Sequence, residues 1–335
     1  MKLVLTGATG LLGNNVARLA VAAGHEVVCP VRRLGDRSLV GVPVSQVLVD
    51  FEAASRSTTS ESSKSVWDEL VAGCDAVIHS AALIHIGWQR QAESHAANVE
   101  LTEQIAASVQ RAGVRLIHIS TVDTLAYSVN GQPVSEDTRQ PAKPSSAYVR
   151  SKTAAEVVVK NRVAQGLDGV ILHPGFMLGP WDWKPSSGKM LWAIAKRQIP
   201  LAPAGGCSAV DVRDVAQGVL NAVLRGGKGQ HYILAGHNLS YVELFREIAV
   251  TTSARPPRWR VGPVVAALAG WFGDVWTRIN GQETDLNSAL VRMGQLRHYY
   301  SSDKAVRELG YQISPLQPAL AAAWQFLQSC GDPPK

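Results

Sequence analysis

The chain has 335 residues, of which 46% are hydrophobic and 18% charged, with a formal net charge of +6. That length suits one large or two modest folded units, and the balance is globular, not disordered. The positive charge is scattered, with no run denser than Arg32-Arg33 and no basic stripe interleaved with aromatics, so no nucleic-acid partner is expected.

Lys2–Thr6 reads as a first strand, and Leu12 to Ala23 as a helix stopped at Gly24. Glu26–Val31 and Val44 to Val49 follow as strands, with Asp50 at the end of the latter. Ala53 to Ser65, rich in Ser and Thr, reads as an exposed loop or a loose helix start. Asp75 to His79 is a fourth strand, Glu93 to Gly113 a long amphipathic helix, and Arg115 to Ser120 a fifth strand. A helix from Ser146 to Gln165 leads into a sixth strand, Gly169 to His173. Strands alternating with helices at this spacing predict an α/β fold, a doubly wound parallel sheet with crossover helices.

Beyond Gly175 the pattern becomes irregular. Asp211 to Arg225 and Ser240 to Thr251 read as helices, Gln230 to Ala235 as a strand, and Pro256 to Tyr300 as helical with one apolar side. The expected organisation is a nucleotide-binding unit over residues 1–175, with 208–235 returning to it, and a smaller C-terminal substrate-binding lobe over 176–335. Val261 to Trp276 is broken by Gly262, Pro263, Gly270, Gly273 and Asp274 and is too short for a bilayer span. It reads as a packing helix of the second lobe. Cys29, Cys74, Cys207 and Cys330 are far apart, with no CxxC pair and no nearby histidine at metal-ligand spacing, so free thiols and no metal are expected. Reduced cysteines and no signal-peptide pattern imply a cytoplasmic protein.

The first strand runs into Gly7-Ala8-Thr9-Gly10-Leu11-Leu12-Gly13, which opens a helix. A glycine-rich turn at this place presents backbone N–H groups and the positive helix end to a pyrophosphate. Alone the motif says only that a dinucleotide fits. Its GxxGxxG spacing resembles the start of the extended short-chain dehydrogenases/reductases, the superfamily of NAD-dependent epimerases and dehydratases. Tyr148-Val149-Arg150-Ser151-Lys152 is similar to that family's YxxxK motif, and Ser120-Thr121 to its serine/threonine position. Ser80-Ala81-Ala82 resembles the cofactor-lining stretch after the fourth strand. Asn98 resembles the helical asparagine that braces the site, and His173-Pro174-Gly175 the turn beside the nicotinamide. The resemblance extends nearly end to end and is strongest in look to dihydroflavonol reductases and 3-beta-hydroxysteroid dehydrogenases.

It implies a Rossmann-type fold and an oxidoreductase acting on CH–OH and C=O groups. Tyr148 would be the acid/base, Lys152 would tune it and hold the nicotinamide ribose, Thr121 would position the carbonyl, and Asn98 would support the lysine through a water. Gly7, Thr9, Gly10, Leu11, Leu12, Gly13, Asp50, Phe51, Ser80, Ala81, Ala82, Tyr148, Lys152, His173, Pro174 and Gly175 would line the cofactor, with Asp50 accepting from the adenine amino group. Where NAD-binding sugar epimerases of the family carry an acidic residue, this chain has Val31 followed by Arg32, which favours NADP(H) over NAD(H).

The substrate is expected to be a small, largely apolar molecule. His85 and Trp88 would form one wall; Trp181 and Trp183 would either close over the cleft or seal packing. The competing reading is a nucleotide-sugar epimerase or dehydratase with tightly bound NAD. Arg32 and the lack of an obvious extra acid/base pair near Thr121 argue against it. A homodimer through the helices after Asn98 and around Tyr148 would resemble the family.

Overall fold

Strand β1 (Lys2–Thr6) lies at the centre of the molecule, a short run of β-favouring residues buried on both sides. Residues 1–56, 65–139, 141–143, 145–196, 201–257, 259–281, 283 and 286–331 are described by the computed structural model of the chain. The chain continues with α1 (Leu11–Ala22), β2 (Glu26–Val31), β3 (Ser45–Leu48), α2 (Phe51–Arg56), α3 (Val66–Val71) and β4 (Ala76–His79). Then come α4 (Gln91–His95), α5 (Leu101–Ala112), β5 (Arg115–Ile119), α6 (Ala147–Ala164) and β6 (Gly169–Pro174).

The chain goes on through β7 (Phe176–Leu178), α7 (Gly188–Ala195), β8 (Leu201–Ala202), β9 (Gly206–Asp211), α8 (Val212–Arg225), β10 (His231–Leu234) and β11 (His237–Ser240). Helix α9 (Tyr241–Thr251), β12 (Trp259–Arg260), α10 (Pro263–Asn280), α11 (Ser288–Gln295), β13 (Arg297–His298), α12 (Asp303–Leu309) and α13 (Leu316–Ser329) complete it.

Seven parallel strands form the central sheet in the order β10-β6-β5-β4-β1-β2-β3. This is the doubly wound α/β architecture expected, and β10 enters it from well beyond Gly175. Apolar side chains cover both faces. Val16 and Ala17 of α1 and Val215 and Val219 of α8 pack on one face. Trp67 of α3, Ile105 and Val109 of α5 and Val159 of α6 pack on the other. The strand order reverses between β1 and β4, the place where such sheets open a crevice for ligands. A second core holds β9, α7, α9 and α13 together through Leu191, Phe245, Leu320 and Leu327.

Two details differ from the sequence reading. The helix expected over Glu93 to Gly113 is interrupted by a wide turn at Ala96–Glu100 between α4 and α5, which rotates Asn98 into the protein interior. The helical stretch expected over Pro256 to Tyr300 is two helices with short strands at either end. Pro263 starts α10, and Gly281 ends it in the left-handed region at φ 70°. Helix α8 is capped by Asp211, whose carboxylate accepts from the Arg213 N–H at 2.8 Å. Asp214 accepts the Ser314 N–H and hydroxyl at 2.7 and 2.8 Å.

Of the stretch expected to be loop or loose helix, residues 57–64 lie outside the described residues; Ser65 caps α3 through a reciprocal bond with Asp68. Cys29, Cys74 and Cys207 are buried free thiols and Cys330 is exposed. Among the described residues no helix is long and apolar enough to cross a membrane, and no cluster of potential metal ligands occurs.

Candidate active site

The glycine turn occupies the crevice end of β1. Gly7 is in the left-handed region at φ 77°, and a Cβ there would lie 2.6 Å from the Ala81 amide nitrogen, so only glycine lets the turn sit against the strand-end stretch Ser80–Ala81. That stretch is itself held to β1: the Ala81 N–H donates to Thr6 Oγ1 at 3.3 Å, and the Ser80 N–H to the Thr6 carbonyl at 3.2 Å. Gly13 packs its Cα against the Gly7 carbonyl and leaves no room for a side chain. Above Gly10 a Cβ would meet only that same carbonyl, at 3.4 Å. No side chain caps the α1 N-terminus after Gly10, and its first turn, Leu11, Leu12 and Gly13, carries no acidic residue. Thr9 is half-buried and Ala82 exposed at the rim. An uncapped, non-acidic helix end beneath a cradle that a Cβ would fill fits a dinucleotide pyrophosphate.

At the end of β5 the four residues expected to be catalytic come together. Thr121, Tyr148, Lys152 and Asn98 are all buried, the last almost completely. Tyr148 and Lys152 are one turn apart on α6, which starts at the Ser146 cap. Burial raises the Tyr148 hydroxyl above its usual value, the nearby Asp123 carboxylate raises it further, and a hydrogen bond with the Thr121 side chain pulls the other way. Burial lowers the Lys152 ammonium to about 8, against the pull of Glu156. Its Nζ donates to the Ile119 carbonyl at 2.6 Å. Asn98 Oδ1 accepts from the Leu83 N–H at 2.7 Å, while Nδ2 donates to the Leu83 carbonyl and to Ser151 Oγ, each at 2.9 Å. Asn98 therefore ties the loop after β4 to α6.

Sequence reading missed the charged surroundings of this set. Asp123 caps nothing; it pairs with the buried Lys143 at 3.2 Å, and His298 Nδ1 lies 3.5 Å away. Burial opposes its ionisation, but Lys143 and His298 prevail and hold it below the usual aspartate value. An acidic group thus does stand near Thr121, contrary to expectation; its position two residues on was the only signal. Glu156, one turn beyond Lys152, is buried and accepts from the Ser120 and Thr124 hydroxyls and from Lys160. Beneath the same helix, His79 and His118 face each other across β4 and β5 with ring centroids 5.5 Å apart, and His173 and His231 do so across β6 and β10 at 5.6 Å. Burial and the Lys152 charge push His79 down to about 3.

The His173 imidazole is fully buried, with Nδ1 at 3.2 Å from the Thr121 carbonyl and 3.5 Å from Glu156, so its side chain belongs to this network. Pro174 ends β6 in the core, and Gly175 donates to the Leu234 carbonyl at 3.0 Å, with its Cα close against Ser208.

The loop after β4 is clamped from the far lobe by Glu283, another residue sequence reading missed. Its carboxylate bonds His85 Nε2 at 2.7 Å and accepts the Trp88 and Gln89 N–H groups at 2.8 and 3.1 Å. Trp88 Nε1 donates to Ser288 Oγ at 2.9 Å. The Gly87 carbonyl accepts from the Ala147 N–H at 2.9 Å, so the clamp reaches the residue before Tyr148.

The sheet order, the glycine turn and the Tyr148–Lys152 pair are matched by one further observation: the family model for NAD dependent epimerases and dehydratases fits residues 3–235. The chain belongs to the NAD dependent epimerase/dehydratase family. It is 30% identical over 98% of its length, and 94% of the relative's, to a Synechocystis protein with the provisional name dihydroflavonol 4-reductase. It is 29% identical to sterol demethylase protein B of Methylococcus capsulatus, covering 99% of both chains. The crystal structure of gox2253 is similar at a TM-score of 0.83, with 28% identity and 98% of both chains covered.

At the outer end of this family member's crevice, Arg33, Leu34, Gly35, Asp36, Arg37, Trp183 and Lys184 enclose a cavity of about 260 Å³. Three cations converge on it. Arg32 is exposed beside it, directly after β2. Trp181 and Trp183 stack on each other and meet Phe326 of α13 tilted and edge-on, with the Arg18 guanidinium 3.5 Å from the Trp181 ring centre and Arg37 over Trp183. Their contacts are with α1, the segment after β2 and α13. The Asp50 Oδ1 accepts from the Glu52 and Ala53 N–H groups at 3.0 and 3.1 Å and so caps α2; Phe51 packs edge-on against Trp67.

Proposed function

We propose that the chain is an NADP(H)-dependent reductase that converts a carbonyl on a small, largely apolar molecule to an alcohol. The observation that carries this reading is the buried Thr121–Tyr148–Lys152 set with Tyr148 held protonated by burial and by Asp123. A protonated phenol in a cleft is a proton donor, which is what carbonyl reduction asks of it. Thr121 offers a hydroxyl to the same oxygen, and Lys152, charged at neutral pH, lies one turn behind. A bound nicotinamide dinucleotide would supply the two-electron transfer to the substrate carbon. Gly7, Gly10 and the α1 N-terminus would hold its pyrophosphate, and Lys152 its ribose. The tyrosine then regains a proton from solvent.

The NADP preference is supported by the Arg33, Arg37 and Lys184 cavity with Arg32 beside it, since a 2′-phosphate adds two charges that a plain ribose lacks. The apolar substrate class is supported by relatives named for a dihydroflavonol and a sterol. The test is turnover of a panel of cyclic and long-chain ketones with NADPH and with NADH. NADPH-dependent reduction that vanishes in Tyr148→Phe is expected; turnover only with NADH would overturn the cofactor assignment.

One observation favours a second reading. Asp123 beside Thr121 could serve as the extra acid/base of a sugar dehydratase or epimerase. Lys143 and His298 occupy its carboxylate, which argues for a structural role. Protein that purifies with NAD retained and acts on nucleotide sugars without added cofactor would decide for that reading instead.

A further inference from the structure

Helix α10 is built inside out. Its buried positions are Ala266, Gly270, Gly273 and Thr277, while Val264, Leu268, Trp271, Phe272, Trp276 and Ile279 are each more than half exposed. At about 100° per residue the large apolar side chains fall within an arc of roughly 140°, opposite the small ones. The small stripe lets α10 lie directly on the segment Leu286–Ser288: a Cβ on Gly273 would collide with the Leu286 carbonyl, and one on Gly270 would be 2.9 Å from Ser288 Cα. The expectation of a packing helix therefore fails for its larger face, which is exposed among the described residues.

We propose that this face docks the protein on a lipid bilayer with anionic headgroups, α10 lying in the interface plane. Tryptophan prefers the boundary between headgroups and acyl chains, and Trp259, Trp271 and Trp276 are all exposed here. The exposed charges of this segment are basic: Arg260 before α10, Arg278 in its last turn and Arg292 on α11. Among the described residues from 259 to 295 the acidic groups are Asp274, which accepts the Ser288 N–H at 3.0 Å, and Glu283, which clamps His85. Aromatic and aliphatic residues on one face with arginines at its edge are the composition of an interfacial helix. The opposite, buried face of α10 connects to the loop after β4, since Ser288, against which Gly270 packs, holds the Trp88 indole. The docking face stands whatever the substrate proves to be.

The test is flotation of the whole protein with phosphatidylcholine vesicles, alone or containing about 30% phosphatidylglycerol, at low and high salt. Binding to the anionic vesicles is expected, weakened by salt. Trp271→Glu/Phe272→Glu should lower it about tenfold or more, and so should the independent pair Trp276→Ser/Ile279→Ser. Arg278→Gln should weaken binding to anionic vesicles only. NADPH affinity and the thermal melting transition, followed in parallel, should stay unchanged. Equal binding by all variants, or no binding by the wild type, overturns the proposal. So does a dimer in light scattering that Trp271→Glu/Phe272→Glu splits into monomers, because a second copy would then cover the face.

Discussion

The Asp123 carboxylate adds to burial in holding the Tyr148 hydroxyl protonated. Removing that charge in Asp123→Asn lowers the Tyr148 pKa, because a neighbouring anion disfavours a second one. Reduction needs the protonated phenol, so its rate should fall at a lower pH in the variant than in the wild type. Oxidation of the alcohol, which needs the phenolate, should speed up at neutral pH. Paired pH–rate profiles in both directions check this; profiles that coincide would remove Asp123 from the chemistry.

Tyr148→Phe should lower turnover by roughly 10²–10⁴-fold while NADPH affinity stays within about twofold. Lys152→Met should damage both, since under the proposed function the same ammonium holds the ribose and tunes the tyrosine. In the wild type, kcat/KM should decline as pH rises through about 8, where Lys152 loses its proton. Stopped-flow turnover and cofactor fluorescence titration separate the two effects.

Arg33→Ser/Arg37→Ser should raise the KM for NADPH about tenfold or more and leave that for NADH nearly unchanged. An equal loss for both cofactors would mean that the cavity they line is structural.

Acid should unfold this protein early. His79 is held neutral to about 3, and His298 to about 4 by burial and the Lys143 charge. Their folded values lie below the unfolded one, so stability is intact above pH 6.5 and is lost as pH falls through that value. Each should cost roughly 2 kcal/mol between pH 7 and pH 5. Urea unfolding at the two pH values measures the difference, and His298→Gln should shrink it by one proton's worth.

Gly87→Ala should act on the cleft at a distance. The added methyl would occupy the place of the Glu283 carboxylate and expel it from His85, Trp88 and Gln89. Leaving the part-buried Trp88 N–H unpaired costs about 1 kcal/mol, and the freed loop should raise the KM for substrate more than it lowers kcat. Glu283→Ala should do the same; denaturant titration and steady-state kinetics report the two effects.

The parallel sheet was readable because its strands are short apolar runs separated by helices with clear stops, as at Gly24 and Gly113. Thr121, Tyr148 and Lys152 were readable because their spacing and strand-end positions are local properties. What stayed hidden was long-range. Glu283 lies 198 residues from His85, and no local pattern marks an acid that will reach across a cleft. Lys184, in the cavity with Arg33 and Arg37, comes from the segment between β7 and α7. For α10 periodicity showed an apolar stripe, but it was the small residues on the opposite face that turned inward.

A ribosome delivers this protein in an order that matters for the Glu283 clamp. The last strand of the central sheet, β10, is complete at Leu234, so the glycine turn and the Tyr148–Lys152 pair can assemble while the clamp is still unmade. A nascent or truncated chain would thus form the glycine-turn end of the crevice before the loop after β4 is clamped. Closure of that clamp comes late in the synthesis of each molecule, set by nothing more than where one glutamate stands in the sequence.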